Sequence, residues 1–391
     1  MRGPVLFAAA LFASTLRPPD AEAIPAWARK YNMSCSGCHY PAPPKLNALG
    51  IRFRWAGYRM PGELGQSVSV DQVSNYIAAQ GQVVYDLSRT GTQAATTALD
   101  AADAKLWYMG PLGKHYLGWF EFERMPDATM GLGAQVGGVW GNEHGYGGFK
   151  VGQGHFLFET GMAGFERNVA LTDIPLPLEV PTTAGVPFVF SDDRVGAEAF
   201  YVTGNNRLSA QVLEPVAGLS ANANTRKDFV LTDQVLLDPT GGGLQVTGLF
   251  GSVLGVDPSA LSRRSSYWRV GASASHYFES FELLGGVVLA RDNDLPTGGG
   301  SAFATSTIKG LGYWVSGQYA LPRSPLALYG RYESADPNTS VSNDATSRIV
   351  LGGILPLTLP EYLRLNVEYS LRTPQTGENT HNLAVGLTLG F

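Results

Sequence analysis

The residues best able to do chemistry lie together near the start of the chain, in the run Cys35-Ser36-Gly37-Cys38-His39, which holds both of its cysteines. Two thiols at this spacing, followed at once by a histidine, form the attachment signature of a c-type haem. The thiols add to the two porphyrin vinyl groups, and the same turn places the imidazole under the iron. This reading makes Cys35 and Cys38 the covalent anchors of one haem c and His39 its proximal metal ligand. Three other chemistries use paired cysteines. A thioredoxin-like redox pair needs a βαβ setting, which the residues after His39 do not offer. A structural zinc site wants four ligands, whereas the remaining histidines, His115, His144, His155, His276 and His381, are scattered. A plain disulfide suits an oxidising compartment but accounts for neither the tight loop nor His39.

Short flanking elements must position this motif. Ile24 to Tyr31 reads as a helix following Pro25, and Pro44 to Ala56 as a second, with Leu46, Leu49 and Phe53 on one face and Trp55 nearby. Apolar residues around a haem exclude water and tune its potential, although an ordinary amphipathic helix carries the same pattern. Met60, just past the second helix, is the economical distal ligand, because a thioether raises the reduction potential. Met33 is too close to the motif to fold over the iron. His144 near a turn and His155 on a strand are further candidates, and each also reads as an ordinary barrel residue.

Upstream, Arg2, the apolar run Pro4 to Ala13 and the triplet Ala21-Glu22-Ala23 have the layout of a cleaved signal peptide over 1–23. The run is too short to span a bilayer, so the mature chain is expected to begin near Ile24 outside the cytoplasm. The composition points to strands and turns, with 48 glycines, 11% aromatic residues and only 16% charged ones. The net charge of -5 argues against nucleic acid as a partner.

From about Asn75 onward the dominant period is two. Leu383, Val385, Leu387, Leu389 and Phe391 alternate with Asn382, Ala384, Gly386, Thr388 and Gly390, and Leu363 to Arg372 does the same. Such segments make strands with one oily and one wet face. Short joins (110–114, 204–206, 238–242, 279–280, 321–325, 356–361) alternate with long polar ones (89–98, 216–228, 255–265, 292–304, 336–346). Tight turns on one side and extended loops on the other mark an outer-membrane barrel. We count about 16 antiparallel strands, with least certainty over 145–164, and an even number returns both barrel ends to the periplasm. The fold class is therefore an all-β transmembrane barrel over 71–391, preceded by a short α-helical haem segment over 24–70. A soluble sandwich would alternate as well, but its outer faces would be polar, and here the oily face runs to the terminal Phe391. One connection, Leu171 to Phe190, carries Pro175, Pro177, Pro181 and Pro187 and cannot be a ladder strand. It is external by the up-and-down count and either folds into the lumen, packs over the mouth, or is an ordinary surface loop.

The N-terminal segment resembles the fused monohaem cytochrome-porins, outer-membrane barrels with an N-terminal c-type haem segment that include proteins assigned as Fe(II) oxidases. The matching residues are Pro25, Trp27-Ala28-Arg29, Cys35 to His39, Pro44-x-Leu46, Gly50, Phe53 and Gly57-Tyr58. The close likeness covers about 35 residues; the barrel matches in architecture only. Trp27, Tyr31-Asn32 and Leu49-Gly50-Ile51 depart from the family's more frequent Phe, Thr-Gly and Phe-Gly-Arg. The resemblance implies electron transfer across the outer membrane, with the haem on the periplasmic side or in the barrel lumen. A lumen of about 16 strands is wide enough for such a plug. Expected partners are outer-membrane lipid, a periplasmic cytochrome c or similar electron carrier, and an extracellular electron donor or acceptor such as Fe(II). Acidic residues of the long joins, Asp292, Asp294, Asp336 and Asp344, would concentrate a cationic donor, though singly each reads as ordinary loop charge. Two rival functions are a solute-conducting porin whose haem is regulatory or structural, and a secreted soluble cytochrome.

Overall fold

The computed structural model describes residues 26–40, 43, 45–67, 75–124, 130–154, 156, 170–172, 174–179, 194–214, 227–237, 239, 241–254, 264–293, 307–357 and 363–390. The leader expected over 1–23, His155, Asp294 and Phe391 lie outside them. Sixteen strands follow one another in chain order: β1 (Ile77–Thr90), β2 (Thr96–Pro111), β3 (Tyr116–Arg124), β4 (Met130–Asn142), β5 (Gly145–Gly154), β6 (Arg194–Thr203), β7 (Asn206–Leu213) and β8 (Asp228–Leu236). The second half comprises β9 (Gly243–Leu254), β10 (Arg264–Phe278), β11 (Phe281–Asn293), β12 (Ile308–Ala320), β13 (Ala327–Asp336), β14 (Thr346–Pro356), β15 (Leu363–Pro374) and β16 (Thr380–Gly390). Each pairs antiparallel with its sequence neighbours, and β1 closes on β16 from Gln80↔Gly390 to Thr90↔Thr380. Closure leaves no sheet edge.

The two faces of each strand explain the closure. Along β8, Asp228, Val230, Thr232, Gln234 and Leu236 are buried toward the lumen, while Phe229 and Leu231 point outward and are exposed. The same outward set includes Val315 on β12, Leu351 on β14 and Leu387 on β16. A barrel oily outside and polar inside is stable where the outer solvent is lipid. The sandwich alternative is thereby overturned, since its apolar faces would meet each other.

The tight connections gather at one end (112–115, 143–144, 204–205, 237–242, 279–280, 321–326, 357–362), and the longest ones, 155–193, 214–227, 255–263, 294–307 and 337–345, at the other. The join expected to be long over 89–98 is instead only 91–95. β-Branched residues carry the ladder further than anticipated: the Thr90 and Thr380 hydroxyls bond at 3.0 Å, and the Thr96 hydroxyl donates to the Ser88 carbonyl at 3.4 Å. Within 145–164, Gly145–Gly154 form β5, which pairs with β4 through the Glu143–His144 turn, while 155 and 157–164 lie outside the described residues.

Before the barrel come α1 (Ala26–Tyr31), a 3-10 turn at Cys35–Gly37, α2 (Ala48–Trp55) and a second 3-10 turn at Pro61–Glu63. Helix α2 is shorter than the Pro44 to Ala56 expectation. Leu46 is committed to an antiparallel bridge with His39, and Asn47 caps the helix by accepting the Gly50 N–H at 3.0 Å. Its buried face is Ala48, Ile51, Phe53 and Trp55 rather than one centred on Leu49. Gly57 and Tyr58 then take left-handed backbone angles, and the Tyr58 N–H returns to the Phe53 carbonyl at 3.0 Å.

Candidate haem-binding site

The motif is a closed turn. The Cys35 carbonyl accepts both the Cys38 N–H at 3.1 Å and the His39 N–H at 2.9 Å. This brings the two thiols and the imidazole onto one compact loop. Asn47 staples the loop to α2: its backbone N–H donates to the Cys38 carbonyl at 2.9 Å and its side-chain amide to the Gly37 carbonyl at 3.0 Å. Helix and loop touch so closely at Gly50 that a Cβ there would collide with the Cys38 carbonyl oxygen. No disulfide joins Cys35 to Cys38, and burial pushes the Cys38 thiol above its usual range.

The donor set fits a c-type haem. His39 Nδ1 lies 3.1 Å from the Lys45 carbonyl oxygen. That oxygen can only accept, so Nδ1 carries the proton and Nε2 the lone pair that a metal takes. A ligating histidine is held in this way by a carbonyl behind it. Among the described residues no group of three or more His, Cys, Asp or Glu side chains gathers as an ion cluster, which leaves the zinc alternative without a four-ligand set.

The loop and its helices are set into the short-turn mouth of the barrel. Ala48, Ile51, Trp55 and Ala56 pack against Leu117, Val139, Tyr146, Phe200, Val202 and Leu236 of the inner wall. Polar contacts ring this core. The Arg59 guanidinium, buried to 1% exposure, donates to the carbonyls of Lys114 and Tyr116 at 2.9 Å each. The Trp27 indole donates to the Met109 carbonyl at 3.1 Å, the Ala48 N–H to Pro239 at 3.4 Å, and Arg52 reaches the Asn205 side chain. Lys45 pairs with Glu282 of β11 at 2.9 Å, both side chains 0% exposed.

An aromatic group lies beside α2. Trp27 meets Phe53 edge-on at 5.3 Å and stacks on Tyr58 at 6.0 Å, and Tyr31 meets Phe53 at 5.8 Å. Met60 packs onto this group. His144 does not turn inward: its side chain is 88% exposed and faces Glu143 at 3.8 Å. Beneath Met60, Glu63 accepts from the Tyr31 hydroxyl at 2.6 Å and from the Met60 N–H at 2.9 Å, with Lys30 at 3.3 Å. Burial opposes the charge on Glu63, but these bonds outweigh it and hold the carboxyl below its usual range. Burial, then the bond to Glu63, raises the Tyr31 hydroxyl far above its own.

Part of the proline-bearing connection enters the lumen. Residues 170–172 and 174–179 lie along the inner wall, ending in the short helix α3 (Leu176–Glu179). Glu368 accepts the N–H groups of Leu171 at 2.7 Å and Thr172 at 3.0 Å, and Glu333 accepts that of Leu176. The guanidinium groups of Arg331 and Arg348 take the carbonyls of Thr172 and Ile174 at 2.6 and 2.7 Å. Of the three dispositions open to this stretch, the described residues take the lumenal one.

Asp292 is not a loop charge but a buried lumen residue, paired with Arg269 at 2.6 Å, because β11 runs two residues into the expected loop, to Asn293. Asp336 and Asp344 stay at the long-loop end. Burial, then the charge of Asp336, raises the Asp344 carboxyl above its usual range. Sequence reasoning missed Lys45, Asn47 and Glu282. Asn47 was legible as an N-cap, and Glu282 as a charge on the lumenal phase of a strand.

Fold and site together describe an outer-membrane porin-type barrel with a Cys-x-x-Cys-His segment in its short-turn mouth. The chain is similar in structure to the anion-selective porin of Comamonas acidovorans, with a TM-score of 0.59 at 11% identity over 81% of this chain and 99% of that one. It is likewise similar to Salmonella typhi OmpF in complex with daunomycin, at 0.54 and 14% over 83% and 100%, and to Vibrio cholerae OmpT, at 0.54 and 12% over 81% and 97%. These likenesses establish the fold. No family model matches the chain, and no curated protein matches it in sequence.

Proposed function

We propose that this protein is an outer-membrane monohaem c-type cytochrome-porin that passes electrons between an extracellular donor, with Fe(II) the one to test first, and a periplasmic cytochrome c or similar carrier. The observation that carries this reading is the His39 turn: both thiols on one closed loop, Nδ1 committed to the Lys45 carbonyl, and the whole seated in the barrel mouth. Cys35 and Cys38 would hold haem c covalently and His39 would ligate its iron, with Met60 the leading distal candidate. When bound, the haem supplies a one-electron redox centre. The protein's part is to seat that centre away from water. Ile51, Trp55 and the inner wall exclude solvent on one side of the loop, and lumenal Thr232, Gln234, Gln245 and Thr247 are buried as well. The outer apolar belt supports a place in outer-membrane lipid.

The test uses protein exported with a c-haem maturation system. The haem should survive acid acetone and give a c-type pyridine haemochrome, and Cys35→Ala with Cys38→Ala should abolish it. In sealed vesicles with the short-turn end inward and oxidised cytochrome c trapped inside, external Fe(II) should reduce the trapped carrier. A second reading, a solute-conducting porin with a regulatory or structural haem, is favoured by the polar lumen wall. Free leak of small solutes without reduction by any impermeant donor would select it.

A further inference from the structure

Resting on the haem reading above, we propose that Glu282 of the barrel wall is a positioning residue for His39, acting through Lys45, so that the folded barrel sets the orientation of the axial ligand. The contacts form one chain. The Lys45 carbonyl accepts the Tyr40 N–H at 3.2 Å and stands 3.1 Å from His39 Nδ1, while the ammonium of the same residue lies 2.9 Å from Glu282. Both charged side chains are fully buried. A buried ammonium is stable only beside its partner, so Glu282 dictates where Lys45, and with it the carbonyl behind His39, can sit.

A second grip comes from the neighbouring strand. Tyr277 of β10, whose register partner is Glu282, donates its hydroxyl to the Tyr40 carbonyl at 3.2 Å, and the two tyrosine rings lie 5.2 Å apart. Wall strands β10 and β11 thus hold both sides of the short His39–Leu46 bridge. Arg59, Trp27 and Arg52 anchor the segment elsewhere on the rim, to Lys114 and Tyr116, to Met109 and to Asn205. Outer partners that orient a ligating histidine are worth about 10–100-fold in ligation.

The experiment uses the full-length, haem-loaded protein in detergent and adds nitric oxide to the ferrous state. A firm proximal bond gives six-coordinate nitrosyl haem; a weak one breaks and gives the five-coordinate form, and electron paramagnetic resonance separates them. Glu282→Gln should raise the five- to six-coordinate ratio by about tenfold while gel heat-modifiability shows the barrel intact. The charge swap Lys45→Glu with Glu282→Lys keeps the pair's summed reach and should return the ratio to the native value. Arg59→Met, which loosens the segment at a distant anchor, should leave the ratio alone. An unchanged ratio in folded Glu282→Gln overturns the proposal, as does an equal rise in Arg59→Met. If Glu282→Gln does not assemble, Lys45→Met with Glu282→Leu, which removes the pair without leaving a buried charge, decides instead: a raised ratio supports the proposal, and a native one sinks it. Covalent haem retained in every variant alongside a native ratio defeats this inference alone; wild-type protein without covalent haem defeats the haem reading and this inference together.

Discussion

The N-terminal segment and residues 170–172 and 174–179 both occupy the lumen, yet different chemistry holds them there. The first is fixed mainly by an apolar core, with Ile51, Trp55 and Ala56 set against Leu117, Val139 and Phe200, helped by wall carbonyls that accept from Arg59 and Trp27 and by the buried pair of Lys45 with Glu282. The second has its backbone gripped by charged wall side chains: Glu333 and Glu368 on N–H groups, Arg331 and Arg348 on carbonyls. Apolar burial is indifferent to pH and scales with area. A charged grip is specific in direction and fails when one partner is removed. The contrast suits one segment held at fixed depth in the barrel mouth and another that narrows the space beyond it.

The largest expected effect tests the apolar side of this contrast. Trp55 is 3% exposed in the core beneath the haem-motif loop. Trp55→Ala should cost about 3–5 kcal/mol of seating, enough to release the segment while the closed ladder persists. Limited proteolysis between α1 and β1 should accelerate sharply, and the mean current through a planar bilayer should rise. If the segment stays protected, its seat is not the apolar core.

The charged side should respond less and differently. In Glu333→Gln the amide oxygen can still accept from the Leu176 N–H, but Arg331 and Arg348 lose a carboxylate. The loss should be about 1–3 kcal/mol. Open-channel current noise should grow with little change in the protection of the N-terminal segment. Equal loss of protection in both segments would show that they form one unit and would dissolve the comparison.

Much of this was legible in the sequence. Period-two alternation from Ile77 to Gly390 carries strand number and facing, because a lipid-facing wall imposes the pattern on every strand. The motif Cys35 to His39 carries its chemistry in its spacing. What pattern could not carry is pairing between distant elements. Lys45 and Glu282 lie far apart in sequence and are unremarkable singly; only barrel closure brings them together. The inward course of 170–172 and 174–179 was likewise unreadable from the prolines, since the residues that draw it in, Glu333 and Glu368, sit on strands far downstream. Helix α2 was misjudged at its start because the bridge between His39 and Leu46 competes with helix for the same residues.

The smallest effect sharpens the comparison from within the N-terminal segment, at the internal ion pair of Glu63 and Lys30. Glu63 accepts from Tyr31 and the Met60 N–H and pairs with Lys30, with Arg59 the other nearby cation. Its folded pKa lies below the ordinary 4.5. A carboxyl depressed on folding adds stability that is fully present above its unfolded pKa and is lost as pH falls through the lower folded value. The Lys30 and Glu63 side chains are 15% and 29% exposed, so solvent screening holds the contribution to about 1 kcal/mol. Wild-type protein should therefore lose a little protease protection over residues 26–67 between pH 5 and pH 3, by about fivefold in cleavage rate at most. Glu63→Gln keeps an acceptor for Tyr31 but has no proton to gain. It should begin slightly less protected at pH 7 and show no further acid step in that window. An acid step of native size in Glu63→Gln would move the titration to another group and show that Glu63 does not carry the pH dependence of the segment's seating.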